Sequence, residues 1–185
     1  MYAAGLFVAL HLVRADEPAS VGPALPFHLV PRILLETCHS AQQALGRLLD
    51  FPLMHAFNYT VADAKEFFVV EIHPMARRVR DAHELLIVTN HFQHPDLERY
   101  HGGRGAANSR RRQGRLREVW ERREGDPWTW GKQILADHGG PLCNHDRHLS
   151  TLWSLVADLT EKRIAYSMGA PCEQPFRDLP WPGQV

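Results

Sequence analysis

The order of short strand-like segments and amphipathic helical segments constrains the fold of this chain more than any other feature of its sequence. In chain order the patterns predict a strand (5–13), a helix pair (27–38 and 41–49), a strand meander (57–62, 67–72, 77–80 and 85–89), a second helix pair (109–123 and 129–138) and a final hairpin (151–159 and 163–168). Runs of antiparallel strands beside runs of helices are typical of an α+β layered domain. No long βαβ series is present, which argues against a doubly wound parallel sheet.

Local signals add detail to this pattern. Ser40 is predicted to cap the second helix, with Gln43 in the capping-box position three residues later. The polar segment 63–66 separates two β-rich runs and predicts a hairpin turn. The polar, glycine-rich segment 95–108 is expected to be a loop, and the proline-rich tail after Gly169 is expected to be extended.

Composition bounds the class of protein. The chain has 185 residues, which suits a single domain, and its 21 Lys and Arg balance its 21 Asp and Glu. With 44% hydrophobic residues and no net charge, it has neither the composition of a disordered chain nor a surface built wholly for nucleic acid. No apolar run approaches the ~20 residues that a membrane-spanning helix needs. We therefore expect no nucleic-acid partner and no membrane span.

The N-terminal segment and the cysteines indicate the compartment. The apolar segment 3–13 has no positive charge before it and no small-x-small cleavage site after it, so a buried strand is favoured over a signal peptide. Cys38, Cys143 and Cys172 are odd in number and widely spaced, which favours reduced thiols over a disulfide framework. These features predict a cytoplasmic protein.

Eight arginines lie between residues 104 and 123. A cluster of this kind can hold phosphates. However, Glu118, Glu121 and Glu124 lie among the arginines at helical pairing distance, and no nucleic-acid-binding signature accompanies them. A solvated helix face is therefore favoured over a phosphate-binding surface.

A second group of chemically capable residues follows the second helix pair: His138, Cys143, His145, Asp146 and His148. Zinc sites use these residue types, but the spacing does not match a C-x₂₋₄-C pair followed by H-x₃₋₅-H. A polar loop between a helix and a strand is favoured, and a metal site that uses His138, Cys143, His145 and His148 stays open as an alternative.

Several segments, taken in order, resemble one enzyme family. T-N-H-F at 89–92, T-L-W-S-L-V-A-D-L at 151–159 and G-A-P-C-E at 169–173 resemble the closing part of the penicillin (isopenicillin N) acyltransferase family, whose relatives include the choloylglycine hydrolases and acid ceramidase. This chain also resembles earlier parts of the family's sequence in three further segments, 1–13, 31–49 and 57–71. The resemblance therefore covers most of the chain.

This resemblance implies a fold and a reaction. The implied fold is a partial αββα sandwich of the N-terminal-nucleophile type, in which antiparallel sheets lie between helix layers. The implied reaction is hydrolysis or acyl transfer at linear amide C–N bonds. Its nucleophile is a cysteine that self-cleavage exposes as a new N-terminus, and the α-amine of that cysteine serves as the base.

In the family this nucleophile precedes the segment that Met1 begins, and neither Cys38, Cys143 nor Cys172 has the required α-amine. We therefore expect residues 1–185 to be a single domain that forms the C-terminal portion of a longer enzyme domain. Alone it is expected to be inactive, with the nucleophile supplied by a missing N-terminal segment or a second chain. Such a portion is also expected to expose sheet edges and apolar faces, and to aggregate.

The resemblance also implies site residues. Asn90 is expected to donate to the oxyanion, although an asparagine that simply ends a strand is the alternative. Arg112, in an S-x-x-R segment, is expected to orient a carboxyl or amide group of the substrate. Arg147 and His148 stand where fungal members have a Ser-Arg pair before the last hairpin. The implied partner is a small-molecule amide or acyl substrate, and no cofactor is expected. A non-catalytic binding module that uses the arginine helix stays open as a further alternative.

Overall fold

Two antiparallel sheets and several helices form an α+β fold in the computed structural model, which describes residues 5–16, 22–81, 84–101, 106–145 and 149–183. The chain divides into two compact units, Met1–Ser109 and Arg110–Val185. Among the described residues, no helix is both long and apolar enough to cross a membrane. The α+β class predicted from the segment order is confirmed.

The first unit is built on a four-stranded sheet. Its elements, in chain order, are β1 (Phe7–Leu12), α1 (Val30–Thr37), α2 (Ala41–Asp50), β2 (Phe57–Ala62), β3 (Phe67–His73), β4 (Ala76–Asp81) and the short helix α3 (Pro95–Glu98). The strand order is β1-β2-β3-β4, and every neighbouring pair is antiparallel. The sheet is therefore a simple meander in chain order, with α1 and α2 in the connection between β1 and β2.

Strand alternation gives this sheet one apolar face and one polar face. Tyr59, Val61, Val70 and Ile72 are fully buried and pack in one cluster with Leu34 and other residues of α1 and α2. Because successive side chains point to opposite faces, the intervening residues of β2 and β3 face the other way. Those residues include three buried polar side chains: Asn58, Glu71 and His73. Asn58 and Glu71 are direct cross-strand partners.

A short polar turn joins β2 to β3 and also reaches α2. Asp63 Oδ1 accepts from the backbone N–H groups of Lys65, at 2.8 Å, and Glu66, at 3.1 Å. Asp63 Oδ2 accepts from Ala41 N, the first residue of α2, at 2.7 Å. Ser40 Oγ accepts from Gln43 N at 3.2 Å, so the predicted helix cap is confirmed. The turn therefore fixes the start of α2 against the hairpin.

The second unit is built on a three-stranded sheet. Its elements are α4 (Ala106–Glu121), whose first four residues belong to the first unit, α5 (Pro127–Leu135), β5 (Trp153–Asp158), β6 (Arg163–Met168) and β7 (Arg177–Leu179). The strand order is β5-β6-β7, all antiparallel. Asp126 caps α5, because its Oδ2 accepts from Thr129 N at 2.9 Å. Trp153 and Met168, register partners on β5 and β6, are 61% and 69% exposed, so part of this sheet presents apolar surface.

Three predicted segments differ from the structure. Residues 85–89 form no strand, because their carbonyl groups bond to side chains: Ile87 O accepts from Gln93 Nε2 at 2.8 Å, and Thr89 O accepts from Asn58 Nδ2 at 2.9 Å. The predicted loop 95–108 contains α3 and the start of α4, since Pro95 occupies the first helical position of α3. Part of the extended tail pairs with β6 and becomes β7.

Candidate functional site

Asn90 lies in the irregular segment between β4 and α3 and is half-buried. Its Nδ2 donates to the carbonyl oxygen of Leu12, the last residue of β1, at 2.9 Å. A side-chain amide that donates to the main chain of a neighbouring strand has a fixed position and orientation. Asn90 therefore sits beside the end of β1 rather than at the end of a strand of its own.

A second asparagine holds the main chain on both sides of Asn90. Asn58 is fully buried on the polar face of β2, and its Nδ2 donates to Thr89 O at 2.9 Å and to His91 O at 2.8 Å. These two carbonyl groups belong to the residues immediately before and after Asn90. We call this arrangement the Asn58 clamp. No sequence pattern marks Asn58 as a functional residue, because a polar residue in a strand gives no sign of what it contacts.

The side chains of the two clamped residues also bond to each other and to α4. His91 Nδ1 lies 3.0 Å from Thr89 Oγ1 and 2.7 Å from Ser109 Oγ. All three residues are at most 3% exposed, so this hydrogen-bonded group is shielded from water. Ser109 was noted in the sequence only as the start of the S-x-x-R segment. Its hydroxyl therefore belongs to the hydrogen-bonded group beside Asn90 in the first unit.

A buried carboxylate fixes the main chain just beyond the clamp. Glu71 is fully buried, and its two oxygens accept from Gln93 N and His94 N at 2.9–3.0 Å. The Nε of Arg80 on β4 donates to Glu71 Oε1 at 2.6 Å, which pairs the buried negative charge. A buried carboxylate needs both kinds of partner because its desolvation is costly. Asn58 and Glu71, neighbours on one sheet face, thus hold residues 89–94 together.

Two arginines of the arginine-rich segment, Arg115 and Arg122, form ion pairs with acidic side chains. Arg115 donates twice to Asp137, from Nε to Oδ1 at 3.0 Å and from Nη2 to Oδ2 at 2.6 Å. Glu118 pairs with Arg115 and with Arg122, both at 3.1 Å. The Arg115 guanidinium lowers the pKa of the Asp137 carboxyl below its ordinary value. Pairing within the helix therefore confirms the expected role of Glu118.

Arg112 lies on α4 in the second unit and is half-buried. Desolvation by burial lowers the pKa of its guanidinium. Arginine stays charged at neutral pH even so. Of the predicted site residues, Asn90 and Arg112 thus belong to different units, whereas Arg147 and His148 lie outside the described residues.

The second unit brings together four nitrogen and sulfur donors. Within the described part of the chain, the side chains of His138, Cys143, His145 and Cys172 place one ligand atom each within 4.8 Å of all the others. We call these residues the His-Cys cluster. Three of them were candidates in the sequence. The sequence pattern does not include Cys172, because this residue follows β6, far along the chain from the other three. The fourth residue of the predicted metal site, His148, lies outside the described residues.

The Cys172 thiol is not activated. All three cysteines have free thiols in the structure, and Cys143 Sγ lies 3.5 Å from Cys172 Sγ. Desolvation, then the neighbouring Cys143 thiol and the Glu173 carboxylate, raise the pKa of the Cys172 thiol. A thiol with a raised pKa is mostly protonated near neutral pH and is a poor nucleophile.

Comparison with known proteins gives a family match. A search of the curated proteins returned no relative of this chain. The family model described as acyl-coenzyme A:6-aminopenicillanic acid acyl-transferase matches residues 1–173, which is nearly the whole chain. The match agrees with the resemblance carried by the segments at 89–92, 151–159 and 169–173. The chain belongs to the acyl-coenzyme A:6-aminopenicillanic acid acyltransferase family.

Proposed function

We propose that this chain takes part in hydrolysis or acyl transfer at linear amide C–N bonds, with Asn90 as a donor to the tetrahedral oxyanion. The observation that carries the proposal is the Asn58 clamp, in a chain that belongs to an acyltransferase family. An oxyanion donor must be held in place before the reaction, so that no reorganisation is needed when charge develops. That rigidity comes from the two hydrogen bonds of the Asn58 clamp to the main chain on either side of Asn90, and from the hydrogen bond that the Asn90 side chain donates to Leu12 O.

In the proposed reaction, a cysteine thiolate attacks the carbonyl carbon of the amide, and the electron pair of the C=O bond moves onto oxygen. Asn90 donates a hydrogen bond to that oxygen. Collapse of the intermediate expels the amine, which takes a proton, and leaves a thioester. Water then releases a carboxylic acid, or a second amine takes the acyl group.

The nucleophile in this proposal is an N-terminal cysteine outside residues 1–185, carried by a preceding segment or a second chain. Cys38 does not suit the role, since it is 1% exposed, packs in the core of the first unit and donates its N–H to Leu34 O. Cys143 is buried in the His-Cys cluster, and Cys172 beside it has a raised thiol pKa. Residues 1–185 alone are therefore proposed to be inactive.

The experiment compares residues 1–185 with a protein that includes any in-frame coding sequence upstream of Met1. Both are assayed against a panel of N-acyl amides by release of the amine. We expect turnover only with the extended protein, and Asn90→Ala in that protein should lower kcat by about 10²–10³-fold, the usual cost of one oxyanion donor. Gln42→Ala, which also removes a side-chain amide but at an exposed position of α2, is the matched control.

Two results would overturn the proposal. One is unchanged kcat in Asn90→Ala, which would leave Asn90 as a residue that only shapes the chain, as in a non-catalytic binding module. The other is turnover by residues 1–185 alone that is lost in Cys172→Ser or Cys143→Ser, which would place the nucleophile within this chain.

A further inference from the structure

We propose that His138, Cys143, His145 and Cys172 bind one zinc-type divalent metal ion, which joins the segment after α5 to the turn after β6. This site is separate from the proposed acyl-transfer residues and does not depend on their role. It uses two nitrogen and two sulfur donors. Sulfur and imidazole ligands in a set of four are typical of tetrahedral zinc, whereas magnesium and calcium take oxygen ligands.

The distances within the His-Cys cluster fit a single ion. With Zn–S near ~2.3 Å and Zn–N near ~2.0–2.1 Å, a tetrahedral ion separates a sulfur and a nitrogen ligand by about 3.5 Å and two sulfurs by about 3.8 Å. Cys143 Sγ lies 3.4 Å from His145 Nε2 and 3.5 Å from Cys172 Sγ. His145 Nε2 lies 2.9 Å from Cys172 Sγ, so ligation requires a local separation of a few tenths of an ångström. The ring of His138 stands nearly perpendicular to that of His145, 5.2 Å away.

The main chain already holds three of the four ligands in place. Cys143 N donates to Asp137 O at 3.0 Å, and the Asp137 carboxylate is itself held by Arg115 and by Gly140 N. Asn144, between Cys143 and His145, makes two hydrogen bonds with Thr151, at 2.8 and 2.9 Å.

On the other side of the site, Cys172 sits in a turn in which Glu173 N and Gln174 N both donate to Ala170 O at 2.9 Å. Ligands borne on a fixed backbone lose little freedom when a metal binds.

The charge and the outer contacts also suit a metal. Two thiolates and two neutral imidazoles balance the charge of one divalent cation, so the filled site carries no net charge. His145 presents Nε2 to the two sulfurs, while its Nδ1 lies 3.7 Å from Glu173 Oε1. Metal-binding histidines commonly direct their second nitrogen towards a carboxylate, which orients the ring. With four protein ligands and no open position, we infer a structural rather than a catalytic site.

A disulfide between Cys143 and Cys172 is the competing explanation for the close sulfurs. It would account for two of the four donors and would leave the convergence of His138 and His145 unexplained. It also requires the sulfurs to close from 3.5 Å to ~2.05 Å. The experiment therefore has to distinguish a bound ion from an oxidised pair.

The test uses the full chain, purified with a thiol reductant and dialysed against Zn²⁺ alone. We expect about one zinc per chain by elemental analysis, and a visible d–d absorption with thiolate-to-cobalt charge transfer when Co²⁺ replaces zinc. Cys172→Ser and His145→Ala should each lower the affinity for zinc more than about tenfold, because loss of even an outer-shell partner of a ligand typically costs about 10–100-fold. Cys38→Ala and His39→Ala, the same residue types outside the cluster, should retain it.

A readout on the unmodified chain guards against variants that fail to fold. Alkylation followed by peptide mass spectrometry should show Zn²⁺ protecting Cys143 and Cys172 together, with Cys38 unaffected by the metal. The proposal is overturned if the reduced chain binds no zinc and gains no protection. It is equally overturned if the chain purified without reductant has a Cys143–Cys172 disulfide and the reduced form still takes up no metal.

Discussion

Asn58 holds Asn90 in position through the main chain. The described hydrogen bonds of the Asn58 side chain go to the residues on either side of Asn90, not to the Asn90 side chain. The fully buried Nδ2 of Asn58 donates to the carbonyl groups of Thr89 and His91, which flank Asn90. A single amide group on the central sheet therefore determines where a residue of an irregular segment lies. This relationship defines the first prediction.

Asn58→Ala is expected to destabilise the first unit. The substitution leaves two buried carbonyl groups without their donor, and each unsatisfied buried group costs ~1–3 kcal/mol. Unfolding in urea should show a loss of about 2–4 kcal/mol. Gln42→Ala, which removes a side-chain amide at an exposed position of α2, is the control and should change the free energy of unfolding by less than about 0.5 kcal/mol. Equal stabilities for the two variants would show that the clamp contributes nothing.

Arg80→Ala is expected to be among the most damaging single substitutions in the sheet. Glu71 is fully buried, so removal of its guanidinium partner leaves an uncompensated charge, at a cost of ~3–5 kcal/mol. The double variant Arg80→Ala, Glu71→Gln should recover part of that loss, because the charge is then gone. Arg32→Ala breaks an exposed pair with Glu36 and should cost at most ~1 kcal/mol. A double variant no more stable than Arg80→Ala would contradict this explanation.

Asp63 is expected to make stability depend on pH in the acidic range. Partial burial acts to raise the pKa of its carboxyl, but the N–H donors of Ala41, Lys65 and Glu66 outweigh it and lower the pKa below the ordinary 3.8. A group with a lowered folded-state pKa stabilises the fold fully above its unfolded value. That stability is lost as the pH falls from 3.8 through the lower folded-state pKa.

Asp63→Asn should therefore flatten the pH dependence of the unfolding midpoint below about pH 5 and leave it unchanged between neutral pH and pH 6. Asp81→Asn, the same substitution at an exposed residue of β4, is the matched control. An unaltered acid slope in Asp63→Asn would show that the hairpin turn is not a source of acid sensitivity.

Two glycines are expected to respond in opposite directions to substitution by alanine. A Cβ at Gly140 would lie 2.8 Å from Arg115 Cγ, against the side chain that binds Asp137, so Gly140→Ala should destabilise by ~1–3 kcal/mol. A Cβ at Gly46, inside α2, would meet nothing within 4 Å, so Gly46→Ala should stabilise by about 0.5–1 kcal/mol. The measurement is thermal unfolding of both variants. A shift of the melting temperature in the same direction in both variants would contradict the packing argument.

The parts of the fold that the sequence predicts are those with local signals. The Ser40 cap and the β2–β3 hairpin follow from residues close together in the chain, and the structure confirms both. Residues 85–89 have the composition of a buried strand, but Asn58 and Gln93 take their carbonyl groups, which no local pattern reveals. Long-range side-chain contacts thus override strand propensity there.

The same distinction applies to the candidate sites. Asn90 was found through a resemblance, whereas the clamp that holds it depends on a residue 32 positions earlier and on the pairing register of the sheet. His138, Cys143 and His145 were recognisable by residue type. Cys172 joins them only because the β5–β6 hairpin returns the chain to the segment after α5. Neither juxtaposition can be derived without the topology.

The Asn58 clamp has a consequence for how this protein can change over time. The Asn58 side chain donates to main-chain oxygens, which every amino acid has. These two hydrogen bonds therefore do not depend on which side chains occupy positions 89 and 91. Substitutions at Thr89 or His91 alter the side-chain hydrogen bonds of His91 with Thr89 and Ser109 but leave the donor for both carbonyl groups in place. A change of side chain at one of these buried positions is thus compatible with the two bonds that position Asn90, whereas a substitution at Asn58 removes both bonds at once.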